Sequence, residues 1–170
     1  MTSHLWPSSF LAIPVLLFAG ATLMVLAYRD LSVRRLPNAE VFAYAALFLL
    51  YAEVNGMGWA QIGSHAAIGA ITFVVMALLF VLRIMGGGDV KLWSAVMLWA
   101  GPQGAITALV IATLCGSLLG IMGWLSQNIL RRKRKPAGAP VFRMLSATRG
   151  VPYGVGLAIA GIHTLVVAGL

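Results

Sequence analysis

The chain has 170 residues, of which 61% are hydrophobic and only 9% are charged. Soluble domains carry roughly 25% charged residues, so this composition excludes a soluble protein and predicts an integral membrane protein with a single domain over residues 1–170. The net charge of +8 does not indicate nucleic-acid binding, because the basic residues flank apolar stretches. That placement suits membrane orientation and contact with anionic membrane lipids.

The first apolar segment covers about residues 9–27. No Lys or Arg precedes it, whereas a cleaved signal peptide needs a cationic start, so we expect this segment to be retained as a membrane span. Further spans of up to about 20 residues follow. They are expected at residues 39–54 and 62–82, at two stretches of the uncharged segment 92–130 divided by the turn residues 101–104, and at 151–170. The predicted fold class is therefore all-α, a polytopic bundle of six transmembrane helices.

All 12 basic residues fall in alternate connections between these spans. They follow the first span, separate the third from the fourth and separate the fifth from the sixth. With six spans they all lie on one side, which the positive-inside rule identifies as the cytoplasm. Both termini are then expected outside. The strongly basic connection at residues 131–150 is expected either to lie against anionic headgroups or to act only as a topology anchor.

Two of the four acidic residues, Asp30 and Asp89, are expected on the cytoplasmic side. Asp30 follows span one and Asp89 begins span four. Spans two and three form a hairpin that returns the chain to the same face, so the two carboxylates can meet at one depth. A helix from Asp89 to Gly101 would rise only about 18 Å, against a hydrocarbon core of about 30 Å. Either Asp89 therefore lies below the headgroups or the turn after Gly101 is sunk into the membrane.

Asp89 directly follows Gly86, Gly87 and Gly88. Glycines permit tight turns and close backbone approach, so this run is either a functional site or a loop with one polar residue. A carboxylate beside hydrocarbon favours a functional site. Two neighbouring carboxyl groups share a proton, and the ionised one can take a proton from water while the protonated one polarises a carbonyl. This chemistry needs no metal, no cofactor and no nucleophilic side chain.

The other reactive residues are expected to be structural. Cys115 is expected to pack in the bundle, and a single cysteine excludes an intrachain disulfide. Glu40 is expected in the first turn of span two, after Asn38 as the N-cap, although it is close enough to assist the site. Glu53 is expected at the outer end of the same span. The three histidines are expected to be packing or interfacial residues: His4, His65 and His163.

Three segments resemble one known family. Residues 86–91, which read Gly-Gly-Gly-Asp-Val-Lys, resemble the glycine–aspartate signature of the type IV prepilin peptidases, which are membrane-embedded aspartic proteases. Residues 30–38 are similar to the family's other segment, an Asp followed by a basic residue and Ile/Leu-Pro-Asn. Residues 151–156, which read Val-Pro-Tyr-Gly-Val-Gly, are similar to the Pro-aromatic-Gly opening of the family's last helix. The resemblance covers nearly the whole chain in the expected order.

The resemblance implies that Asp30 and Asp89 form a catalytic dyad. Its implied substrate is a prepilin or pilin-like protein with a basic leader and a hydrophobic N-terminal helix, cleaved after a glycine at the cytoplasmic border of that helix. The implied location is the bacterial inner membrane. Lys91 would orient Asp89 or a lipid phosphate, or would serve as an interfacial anchor. The residues expected to shape the site are Gly86, Gly87, Gly88, Lys91, Arg34, Arg35 and Asn38.

The sequence also departs from the larger members of that family. Those members carry an N-terminal cytoplasmic methyltransferase region, often with a four-cysteine zinc cluster, and this sequence matches neither feature. Neither S-adenosylmethionine nor a metal is therefore expected. The short form resembles the dedicated peptidases of tight-adherence (Flp-type) pilus systems. The related enzymes that process archaeal preflagellins share these motifs, so the motifs do not distinguish a bacterial pilin from an archaeal preflagellin as the substrate.

Two other functions stay open at this stage. Carboxylates within membranes often mark ion paths, so the chain could be a subunit of a proton-coupled transporter. It could also be a relative that assists pilus assembly without catalysis. Both carboxylates are expected on one side, with none at mid-membrane, which suits a site entered from one face better than a path across the bilayer. The oligomeric state and the resting arrangement of the two carboxylates stay open as well.

Overall fold

A computed structural model describes residues 8–132 and 153–169. These residues form five helices and no strand: α1 (Ser8–Val33), α2 (Asn38–Val54), α3 (Trp59–Val81), α4 (Gly87–Arg132) and α5 (Tyr153–Gly169). The all-α fold class is thus confirmed for this part of the chain. Most of the basic connection at 131–150, residues 151 and 152, His4 and both chain ends lie outside the described residues.

Three of the described helices are long and apolar enough to cross a membrane, over Phe10–Val33, Trp59–Val81 and Gly87–Leu125. The helices α2 and α5 have 17 residues each. Seventeen residues rise only about 25 Å, less than a hydrocarbon core of about 30 Å. An all-helical membrane bundle is therefore supported, and the division into six spans stays a prediction.

The first helix is longer than the sequence indicated. It ends at Val33 and not near residue 27, so Arg29 and Asp30 lie on its last turns and not in the connection that follows. The helix ends where Arg34 adopts a left-handed backbone with φ of 57°. The N–H of Arg34 lies 3.2 Å from the carbonyl oxygens of Arg29 and of Asp30, which completes the last turn.

The start of α2 also differs from the prediction. Pro37 occupies the N-cap position with φ of −64°, and no side chain caps the helix there. The predicted cap, Asn38, is the first residue of the helix. Its side-chain oxygen accepts a hydrogen bond from Lys91 Nζ at 2.8 Å, because the start of α4 lies beside it. A contact between distant parts of the chain has therefore replaced the local cap.

The long helix α4 is interrupted at Gly101, where φ is 59° and ψ is −171°. The division predicted at residues 101–104 coincides with this break, although the non-helical backbone is confined to Gly101 and the helix resumes at once. Pro102 has no N–H to donate to the carbonyl of Leu98. That carbonyl lies 2.9 Å from His65 Nδ1, and because it can only accept, Nδ1 must carry the proton. His65 thus has the packing role expected of it.

Replacement of Gly101 by Ala is expected to destabilise the fold. A residue other than glycine at a φ near +60° costs roughly 1–2 kcal/mol. The added Cβ would also overlap the His65 ring, and such overpacking costs about 1–3 kcal/mol. Gly104→Ala is the matched control, because its Cβ would meet Ala100 Cβ at an ordinary 3.5 Å. Thermal unfolding in detergent compares the two variants, and equal melting temperatures would contradict this role of Gly101.

The core of the bundle forms around α4, which packs against α2, α3 and α5, while α1 packs against α2 and α5. The largest fully buried side chains include Trp93, Tyr44, Phe48 and Leu157. The outward faces instead carry large exposed apolar side chains, such as Phe18 at 69% exposure. A bundle that buries aromatic residues inside and exposes apolar ones outside suits a hydrocarbon solvent.

Candidate active site

Asp30 and Asp89 line one cavity of about 560 Å³. It lies where the end of α1, the connection to α2 and the start of α4 meet, and Leu36 and Pro37 of that connection also line it. Of the nine residues that the sequence suggested for the site, all except Lys91 line this cavity. The two carboxylates are far apart in the chain, and the bundle brings them to the same end.

Asp30 is held by the start of α5. Its side chain is buried, with 6% exposure, and Oδ2 accepts a hydrogen bond from the N–H of Gly154 at 2.8 Å. The N–H of Val155 also bonds to this carboxylate. The first N–H groups of a helix lack partners within the helix and favour negative charge. The N-terminus of α5 therefore holds the Asp30 side chain in place and offsets the free-energy cost of removing its carboxylate from water.

Gly154 leaves no room for a side chain at this contact. A Cβ built there would lie 2.9 Å from Oδ2, 3.0 Å from Cγ and 3.1 Å from Cβ of Asp30. The sequence analysis noted the Pro-Tyr-Gly run but did not place Gly154 at the site. Only the packing of α5 against α1 reveals this contact, because Gly154 and Asp30 are 124 residues apart in the sequence.

Asp89 is held within its own helix. It is the third residue of α4 and half-buried, and its carboxylate accepts the backbone N–H of Gly86. An acidic residue that reaches back to the N-cap amide forms one half of a capping box. Asp89 thus has a local structural role in addition to any chemical one. Asp89 also interacts electrostatically with Asp30, so the two carboxyl groups lie near enough for the charge of one to act on the other.

The three glycines before Asp89 provide room for neighbouring groups. Their backbones are not left-handed, since only Gly56 and Gly101 have positive φ among the described glycines. A Cβ on Gly88 would lie 3.0 Å from Leu36 Cβ, and one on Gly87 would lie 3.3 Å from the Phe80 ring. Of the two uses that the sequence suggested for these glycines, turning and close approach, the close approach of neighbouring groups is the one seen at Gly87 and Gly88.

Basic side chains surround the pair. Arg34 lines the cavity and interacts electrostatically with Asp30 and with Asp89. Arg35 also lines it and is exposed. Together with the backbone N–H groups, these guanidinium groups place positive charge around two carboxylates, which lowers the free-energy cost of keeping one of them ionised.

Two polar contacts join the helix ends that meet near the cavity. The bond between Lys91 and Asn38 joins the start of α4 to the start of α2. Arg29 Nε lies 2.9 Å from Glu40 Oε1 and joins the end of α1 to the same part of α2. The sequence predicts Glu40 as a partner of the helix dipole that is close enough to assist the site, and the ion pair with Arg29 is a contact that the sequence did not indicate.

The histidines do not take part in this site. His65 and His163 line a separate cavity of about 430 Å³ together with Trp99 and Gln103. Within residues 8–132 and 153–169, no group of three or more His, Cys, Asp or Glu residues is placed to hold a metal ion. The chemistry available at the Asp30–Asp89 cavity is thus that of a pair of carboxyl groups.

Comparisons with known proteins identify a family for this chain. The sequence model of the type IV leader peptidase family matches residues 17–121, a range that includes Asp30 and Asp89. Comparisons with curated proteins and with solved structures gave no match. The match covers more than half of the chain, and three described helices are apolar enough to cross a membrane. This integral membrane protein therefore belongs to the type IV leader peptidase family.

Proposed function

We propose that this leader peptidase is an aspartic endopeptidase that removes the leader of type IV prepilins of the Flp class. The observation that carries the proposal is the shared cavity of Asp30 and Asp89, which lies at one end of the apolar bundle. A peptide bond at the border of a hydrophobic helix lies at the end of a membrane span, so a peptidase that cleaves it needs its reactive groups at the end of its own bundle. The archaeal preflagellins, whose processing peptidases share these motifs, are the alternative substrate class.

The mechanism uses the two carboxyl groups with one proton between them. The ionised carboxylate takes a proton from water as the water oxygen attacks the scissile carbonyl carbon, and the protonated carboxyl hydrogen-bonds to the carbonyl oxygen. The carbon–nitrogen bond then breaks as a carboxyl proton passes to the leaving amine. Arg34 and the N-terminus of α5 stabilise the negative charge, which lies on the pair before the attack and on the tetrahedral oxyanion beside the pair after it.

The proposed topology has six spans in the bacterial inner membrane. The break at Gly101 would separate the fourth span from the fifth, and the 17-residue helices α2 and α5 would be the second and the sixth. The carboxylates would then face the cytoplasm, because the basic residues near them follow the positive-inside rule. Both termini would lie outside.

A purified-protein assay tests the function directly. The probe is a synthetic prepilin-like peptide with a basic leader that ends in glycine, followed by one apolar helix. Incubation in detergent followed by mass spectrometry should give one new N-terminus, directly after the glycine. Intact probe would contradict peptidase activity and favour an assembly factor. Proton flux into liposomes without any cleaved product would favour a transporter subunit.

The pH dependence of cleavage should be bell-shaped. The pair is active only while it holds one proton, so activity is lost when a second proton binds and when the last one leaves. A profile of kcat/KM against pH would show two macroscopic titrations that belong to the pair. A profile with one limb only would contradict a mechanism that needs both an acid and a base.

A further inference from the structure

The helices α2 and α3 follow each other in the chain but scarcely pack together. α3 packs mainly on α4, whereas α2 packs on α1 and α4. They meet near the turn that joins them, where the Phe48 and His65 rings stack at 5.1 Å. Between them lies a cavity of about 590 Å³, which we call the α2–α3 groove.

Small residues form much of the α2–α3 groove: Ala45, Ala66, Gly69, Ala70, Ser94 and Ala95. The Ser94 hydroxyl donates to the carbonyl of Gly69 at 2.9 Å, so the wall exposes no unpaired hydroxyl there. Small residues at membrane helix interfaces let another helix backbone approach closely. Along α4 the groove runs from Lys91 to Leu98, which is about 10 Å or two helical turns.

One end of the α2–α3 groove adjoins the catalytic cavity. Lys91 lines the groove, and Asn38, its hydrogen-bond partner at 2.8 Å, lines the cavity of Asp30 and Asp89. Toward the opposite end the groove is lined by Leu98, whose carbonyl accepts the hydrogen bond from His65. A second apolar groove, between α1 and α5, lies around Leu17, Gly20 and Leu165 and does not include a residue of the catalytic cavity.

From this continuity we propose that the α2–α3 groove binds the hydrophobic helix of the substrate, with the scissile bond beyond the Lys91–Asn38 contact. The inference rests on the proposed peptidase function, because that function requires a substrate whose cleaved bond adjoins an apolar helix. A helix in the groove would end where the cavity begins. The groove therefore holds the substrate helix along the membrane normal and places the end of that helix, where the scissile bond lies, beside the carboxylates.

Filling the groove tests the proposal. Ala66→Trp and Ala70→Trp place an indole in the groove from exposed positions of α3, and Ala67→Trp is the matched control on the same helix, outside the groove. With the helix-bearing probe described above, the groove variants should raise KM by about tenfold or more while the control keeps the wild-type value. A probe that retains the leader and the scissile bond but lacks the apolar helix should be cleaved equally by all three variants.

Photocrosslinking gives a readout that does not require turnover. A benzophenone side chain at position 70 of the Asp89→Asn variant should crosslink to the helix-bearing probe, and one at position 67 should not. Equal KM values for the Ala66→Trp and Ala67→Trp variants, or crosslinks from position 70 to lipid alone, would overturn the groove proposal. Failure of the wild-type protein to cleave any probe would instead overturn the peptidase function, while the crosslinks would still report on the groove.

Discussion

Replacement of Asp30 or Asp89 by Asn should lower the cleavage rate by roughly 100- to 10,000-fold or more, since each change removes a group that gives or takes a proton. The fold should persist. An asparagine oxygen can still accept the N–H of Gly154 at position 30 or that of Gly86 at position 89. The measurement is the initial rate of product formation from the prepilin-like probe in detergent, at equal concentrations of folded protein.

Glu53→Gln provides the matched control for these variants. Glu53 is exposed near the end of α2, away from the cavity that contains the carboxylates, and its change also converts a carboxylate to an amide. Its cleavage rate should equal that of the wild type. Wild-type turnover in either the Asp30→Asn or the Asp89→Asn variant would show that cleavage does not require the pair. The capping of α4 would then be the only role left for Asp89.

Gly154→Ala should lower kcat by about 100-fold, the loss that a misplacement of about 1 Å in a catalytic group can cause. The added Cβ would lie 2.9–3.1 Å from atoms of Asp30, so the carboxylate must move or α5 must shift away from α1. Gly154 is thus a positioning residue that acts through Asp30. KM should stay near the wild-type value, because Gly154 does not line the catalytic cavity.

Gly20→Ala is the control for this effect. It also adds a methyl group on a helix of the α1–α5 contact, but that group would meet Leu165 Cδ1 at an ordinary 3.9 Å. The overlap at Gly154 is also expected to lower the free energy of unfolding by about 1–3 kcal/mol. Melting temperatures of the variants therefore measure the loss of stability separately from the loss of kcat. The pH profile separates the two further, because moving Asp30 changes the macroscopic titrations of the pair and a purely structural effect does not. An unchanged profile with an unchanged kcat would refute the positioning role.

The features that could be predicted from the sequence are those encoded by composition and by short segments. Uninterrupted apolar stretches predicted the helices, and the start of α2 lies within one residue of its expected position. The resemblance to the prepilin peptidases agrees with the family match. The hairpin argument also predicted that Asp30 and Asp89 would lie at the same end, as the shared cavity shows.

The errors of the sequence analysis share a physical cause. The apolar pattern predicts an end of the first span near residue 27, but the helix continues through Arg29, which pairs with Glu40 on the next helix at 2.9 Å. Asn38 has good capping chemistry, yet Pro37 takes the N-cap and the Asn38 amide bonds to Lys91. In each case a partner distant in the sequence competed with the local preference, and no single segment contains that information.

The amino-acid sequence alone is enough to predict a helical membrane protein of the type IV leader peptidase family with two carboxylates at one end of its bundle. These properties follow from hydropathy, charge placement and short motifs, which are local. The groups that hold each carboxylate are known only from the packing: the N-terminus of α5 for Asp30 and the Gly86 amide for Asp89. The packing also places the α2–α3 groove beside the cavity of Asp30 and Asp89, where Lys91 bonds to Asn38. These are properties of packing, because short-range contacts between distant segments depend on how the helices are placed relative to one another.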